Sequence, residues 1–110
     1  MDRELKRGTL EMVLLKLLAE REMYGYEITT AVEERTRGQV GIKEGTLYPV
    51  LYRLEEGGLV EPRWQTKERG VPRKYYSVTK AGRKELEKLS AEWLAFSSAL
   101  SALILSDGAQ

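Results

Sequence analysis

The chain has 110 residues, 42% hydrophobic and 32% charged, a composition that suits one globular domain. It contains no cysteine and no histidine. That excludes disulfides, thiolate nucleophiles and cysteine or histidine metal sites, and removes the commonest general base at neutral pH. Net charge is only +1, but it is unevenly placed. Between Pro62 and Lys84 eight basic residues face Glu68 alone, a local charge of +7 that leaves −6 elsewhere. A basic cluster on a nearly neutral chain is an electrostatic footprint for phosphates. No uninterrupted apolar run reaches ~18–20 residues and no leader pattern opens the chain, so the expectation is cytoplasmic, with no membrane partner. Neither an enzyme nor a cofactor is expected.

Leu10, Val13, Leu14, Leu17 and Leu18 recur at helical spacing and predict a first helix over Leu10–Leu18, with Thr9 as N-cap. Met23-Tyr24-Gly25-Tyr26 interrupts the pattern. A second helix is predicted over Glu27–Arg37, with Ile28, Ala31 and Val32 inward and Gly38 closing it. A third runs from about Glu44 to Glu56 on Leu47, Val50, Leu51 and Leu54, and ends at Gly57-Gly58. Pro49 fits it only in a first turn.

Two strands follow, Leu59–Trp64 and Arg73–Val78, joined by a polar, basic loop over Gln65–Pro72. Trp64 is expected to pack on Tyr76 or on the domain edge. From Lys80, capped by Thr79, a long final helix carries Leu86, Leu89, Trp93, Phe96, Leu100 and Leu103 at 3-4 spacing. Three helices, a two-stranded hairpin and a last helix give the order of a winged helix-turn-helix. The fold class is α+β, mostly α, with a DNA-binding unit over 1–79 and a dimerisation helix with its tail over 80–110.

The third helix pairs an apolar face with a face carrying Lys43, Thr46, Tyr48 and Arg53. A recognition helix needs that division, one side for its own domain and one for phosphates and base edges. With Lys67, Arg69, Arg73 and Lys74 of the hairpin, these residues form the expected DNA-binding set.

Glu44-Gly45-Thr46-Leu47-Tyr48-Pro49, followed by Leu54-Glu55 and Gly58-Leu59-Val60, resembles the recognition-helix signature of the PadR family of transcriptional regulators. Arg73-Lys74-Tyr75-Tyr76-Ser77-Val78-Thr79 with Gly82 resembles that family's second wing strand and the start of its last helix. Tyr24-Gly25-Tyr26-Glu27-Ile28 is similar to the opening of its second helix. The motifs stand in family order over residues 10–82, and Val78 replaces a more usual leucine or isoleucine. The resemblance implies a cytoplasmic repressor that binds palindromic operators as a dimer and often responds to small aromatic compounds. It also implies the short form of the family, whose single C-terminal helix swaps across to the partner.

Leu86, Leu89, Trp93, Phe96, Leu100 and Leu103 then form the expected dimer interface. Small members of the family can hold an apolar channel at the dimer centre, which makes Trp93 and Phe96 the candidate ligand-binding pair. The partners expected are double-stranded DNA, a second copy of the chain and a small aromatic effector. A winged-helix protein–protein module is the alternative function, disfavoured by the basic hairpin.

Overall fold

The computed structural model describes residues 3–4, 7–66 and 70–108. Its elements are β1 (Arg3–Glu4), α1 (Arg7–Glu20), β2 (Met23–Tyr24), α2 (Gly25–Arg35), β3 (Val40–Gly41), α3 (Glu44–Glu56), β4 (Val60–Gln65), β5 (Arg73–Val78) and α4 (Lys80–Leu105). Helix α1 is the pivot, touching α2, α3, α4 and β5. It therefore buries Leu15 as well as the expected Leu10, Leu14, Leu17 and Leu18. A helix covered on several sides needs a wider apolar stripe than one lying on a surface. It starts at Arg7, which places Thr9 inside the first turn instead of at the cap.

Helix α2 begins and ends two residues earlier than its periodicity predicts. Its N-terminus is set by Glu27, whose Oε1 accepts the Tyr24 N–H at 3.2 Å, a carboxylate in the first turn where the helix dipole favours it. At the other end the Gly38 N–H donates to the Glu33 carbonyl at 2.8 Å, the closure expected of that glycine. Helix α3 has the expected limits, so Pro49 is its sixth residue and lies in the second turn. The missing donor falls on the exposed side of the helix, where water can serve the Gly45 carbonyl. Gly58, at φ +74°, ends α3, and the Leu59 N–H returns to the Leu54 carbonyl at 2.9 Å.

The hairpin is better described as a three-stranded sheet in the order β2-β5-β4. Strands β4 and β5 are antiparallel, with Val60 opposite Val78, Pro62 opposite Tyr76 and Trp64 opposite Lys74. The third strand is two residues long and has no periodicity to detect, yet it sets Met23 against Tyr76 and Tyr24 against Tyr75. A separate parallel pair joins β1 to β3. Tyr76, Val60 and Met23 cap the core formed by α1, α2 and α3.

Thr79 caps α4 as expected, accepting the Gly82 N–H at 3.0 Å while donating to the Gly58 carbonyl at 2.6 Å. A Cβ on Gly82 would lie 2.1 Å from the Leu59 carbonyl oxygen. Only glycine allows α4 to leave the sheet at this angle. Leu86 and Leu89 then pack on the core of their own domain, and beyond them the helix extends along a 66 Å long axis.

Candidate nucleic-acid interface and C-terminal apolar face

With Leu47, Val50, Leu51 and Leu54 buried, the opposite side of α3 is occupied by Gly45, Pro49, Tyr52 and Glu56, all exposed. Lys43 is exposed at the N-cap. The first N–H groups of the helix point outward there, as at any helix start. Thr46, Tyr48 and Arg53 are half-buried on the flanks. Tyr48 turns its ring toward α2, and a Cβ on Gly25 would meet its Oη at 2.2 Å. Burial, followed by the charge of Glu44, pushes its phenol pKa up. The Arg53 Nε stands 3.7 Å from Glu11 Oε2 on α1. Tyr52, 50% exposed on the outward face, is the residue that reading α3 by polarity overlooks. The apolar stripe gave the signal, since positions 45, 49, 52 and 56 lie opposite it.

The sheet divides the wing's cations by strand alternation. On its outer face Arg73 lies 4.6 Å from the centre of the Tyr24 ring, and Arg63 lies 5.2 Å from that of Tyr75. Tyr24 and Tyr75 meet edge-on at 5.2 Å. Arg63 also forms a two-pronged pair with Glu22. That hydrogen bond raises the arginine pKa and holds the glutamate below the usual carboxylate range. On the inner face Lys74 lies 3.3 Å from Glu55 Oε1. Trp64 stays 62% exposed, with the Lys74 ammonium 5.8 Å from its ring centre. Lys67 and Arg69 lie outside the described residues. Three of the eight cations behind the +7, Arg63, Arg73 and Lys74, are therefore held by carboxylates or rings of the same chain.

Along α4 the predicted seam splits. Leu86 and Leu89 are contacts within the chain. Trp93, Phe96, Leu100 and Leu103 are 47%, 65%, 40% and 71% exposed, and Leu94, Ile104 and Leu105 are exposed beside them. Two hollows flank Trp93. One, of about 470 Å³, is lined by Met12, Val13 and Leu17 of α1, Ala31 and Val32 of α2, Val40, and Trp93 and Leu94. Its rim carries Lys16 and Arg35, both paired with Glu20. The other, of about 280 Å³, lies among Gly8, Thr9, Met12, Leu89, Glu92, Trp93 and Phe96.

Comparison with known proteins agrees with this architecture. The Transcriptional regulator PadR-like family matches residues 14–88, from the middle of α1 into α4. The transcriptional regulator Rv3488 of Mycobacterium tuberculosis is 33% identical over 99 residues, covering 84% of this chain and 89% of that protein. The negative transcriptional regulator PadR of Bacillus subtilis is 29% identical over 85 residues, covering 77% of this chain but 44% of the relative. A transcriptional regulator from Clostridium thermocellum superposes with a TM-score of 0.80 at 32% identity, covering 86% of this chain and 92% of that one. An outward α3 beside a stranded wing, a long last helix and a family match over more than half of the sequence lead to one assignment: this chain belongs to the PadR-like family of transcriptional regulators, with a DNA-binding winged-helix fold.

Proposed function

We propose that the chain is a cytoplasmic repressor that binds a palindromic operator as a homodimer and responds to flat aromatic compounds. The observation that carries this reading is the bare apolar half of α4. Four large seam residues, Trp93, Phe96, Leu100 and Leu103, are exposed. Full burial of an exposed large side chain is worth ~1.5–3 kcal/mol, so covering what remains exposed of these four against a partner is worth about 3–7 kcal/mol per chain before entropic costs. Such a stripe left open is an aggregation hazard, and a two-fold partner removes it. By length and composition alone α4 could cross a membrane. Its uncharged part, from Trp93 to Leu105, spans only about 20 Å at 1.5 Å per residue, short of a hydrocarbon core of ~30 Å.

The DNA side rests on α3 and the wing. In this reading the N-terminal half of α3, with Lys43 and Thr46, enters the major groove. Arg73, with Lys67 and Arg69 of the segment that joins the two wing strands in sequence, meets flanking phosphates. A guanidinium stacked on Tyr24 keeps edge donors for a phosphate. The negative-regulator name of the Bacillus subtilis relative supports repression. Trp93, set between two hollows, supports an effector site, because two indoles brought together by a two-fold axis can enclose a flat ring.

The internally paired cations favour one second reading, a winged-helix module that binds protein. Duplex binding across a salt series separates the two. Six to ten phosphate contacts per dimer should cost about 10³–10⁵ in affinity between 50 and 200 mM salt. Salt-independent or absent duplex binding would leave the protein-binding module.

A further inference from the structure

Lys74 has the sequence position of a wing cation, but the fold turns it inward. Strand β5 places it opposite Trp64 and on the same face as Tyr76, and that face covers the C-terminal half of α3. Its ammonium lies 5.1 Å from the ring centre of Tyr52, 5.3 Å from that of Tyr76 and 5.8 Å from that of Trp64. Glu55 Oε1 is 3.3 Å away, and the lysine side chain keeps 24% of its exposure. Tyr52 and Glu55 stand three residues apart on α3, Trp64 is on β4 and Tyr76 on β5. One cation thus touches the recognition helix and both long strands of the wing. The Tyr76 ring beside it is fully buried.

Desolvation works against a charge in this position, but Tyr76 and Glu55 outweigh it and hold the ammonium above the ordinary lysine value. To reach a phosphate, the side chain would have to leave a carboxylate and three aromatic faces. The angle between α3 and the wing decides whether one can lie in the major groove while the other meets the flanking backbone. We propose that Lys74 is a positioning residue for DNA binding, a clamp between wing and recognition helix that touches no phosphate. The proposal rests on the duplex-binding reading above.

The probe is a duplex enriched from a random-sequence pool by the unaltered full chain, with affinities measured from 50 to 200 mM salt. Failure to enrich any duplex would overturn the DNA reading itself, and the clamp with it. Glu55→Gln is the deciding variant, because it preserves size and removes only the charge that holds Lys74. The clamp predicts weaker binding by about 10-fold, the scale of one lost charge-assisted contact, with an unchanged salt slope. A phosphate-binding lysine would instead be released by Glu55→Gln. Tighter, equal or more salt-sensitive binding by that variant overturns the proposal.

Lys74→Met should weaken binding to a similar extent, again without altering the slope. A slope lower by about 0.9 per lysine would show a lost phosphate contact and overturn the clamp. Lys74→Arg should retain most of the affinity, because a guanidinium can pair with the same carboxylate and stack on the same rings. A loss as large as that of Lys74→Met would contradict the clamp. Should Lys74→Met fail to fold, Glu55→Gln decides alone.

Discussion

Gly25→Ala tests the seating of Tyr48 and, through it, the role of that phenol. The new Cβ would lie 2.2 Å from Tyr48 Oη and 2.9 Å from Cζ, both well inside van der Waals contact. Tyr48 cannot swing away cheaply, because its ring is half-buried against the core. Overpacking of this kind costs about 1–3 kcal/mol. Alanine returns up to ~1 kcal/mol of helix propensity over glycine, less in a first turn. The net expectation is a loss of about 1–2 kcal/mol, or some 4–8 °C in Tm for each kcal/mol in a domain of this size.

Thermal unfolding by circular dichroism, at one fixed chain concentration, reads this directly. Tyr48→Phe removes the nearer of the two colliding atoms, so the Gly25→Ala, Tyr48→Phe double variant should recover at least half of the loss. The difference is a coupling energy of about 0.5–1.5 kcal/mol. Tyr48→Phe alone should leave duplex affinity nearly unchanged. A stable Gly25→Ala variant, or no recovery in the double variant, would refute the seating. A fall in duplex affinity with Tyr48→Phe would return the hydroxyl to the DNA side.

Truncation after Glu92 keeps Leu86 and Leu89 on their own domain and removes the bare half of α4; it should give a folded monomer by sedimentation, with poor duplex affinity. Trp93→Ala should weaken the dimer, and with Trp64→Phe isolating the signal, flat aromatic compounds should quench Trp93 fluorescence; no quenching across a broad panel would remove the effector from the account. Hydrogen bonds from Arg35 to Glu20 and from Arg63 to Glu22 hold both carboxyls below the ordinary 4.5. Their contribution is complete above that pH and is lost as pH falls through the lowered folded values, so the Glu20→Gln, Glu22→Gln double variant should show a shallower acid decline in Tm. Burial pushes the Tyr76 phenol above 10, against the pull of Lys74. Stability from that group is present below pH 10 and is lost as pH rises through the folded value; spectrophotometric titration of the phenols should place Tyr76 among the last to ionise.

The helices of the core were legible because their information is local. Leu47, Val50, Leu51 and Leu54 give α3 its period and its limits, and Thr79 with Gly82 marks the first turn of α4. Strand β2 was not legible, since Met23 and Tyr24 become a strand only through the Tyr76 and Tyr75 they meet across the fold. The partners of the hairpin's cations were hidden for the same reason. Glu22 is 41 residues from Arg63, and neither it nor Glu55 lies in the basic segment. Spacing alone also cannot tell which surface a stripe will cover. The 3-4 pattern of α4 runs unbroken from Leu86 to Leu103, yet its first two leucines meet α1's domain and the rest meet solvent. Reading α3 by polarity favoured Thr46, Tyr48 and Arg53, where the geometry of its buried stripe favoured Gly45, Pro49 and Tyr52.

Central to the proposed function is that α4 joins two chains so that two α3 helices reach one duplex. Sedimentation equilibrium of the intact chain, free and on an enriched duplex, measures this most directly. The expected result is a free species of twice the 12.6 kDa chain mass and two chains on each duplex. A free chain of single mass at micromolar concentration, binding its duplex one to one, would contradict it.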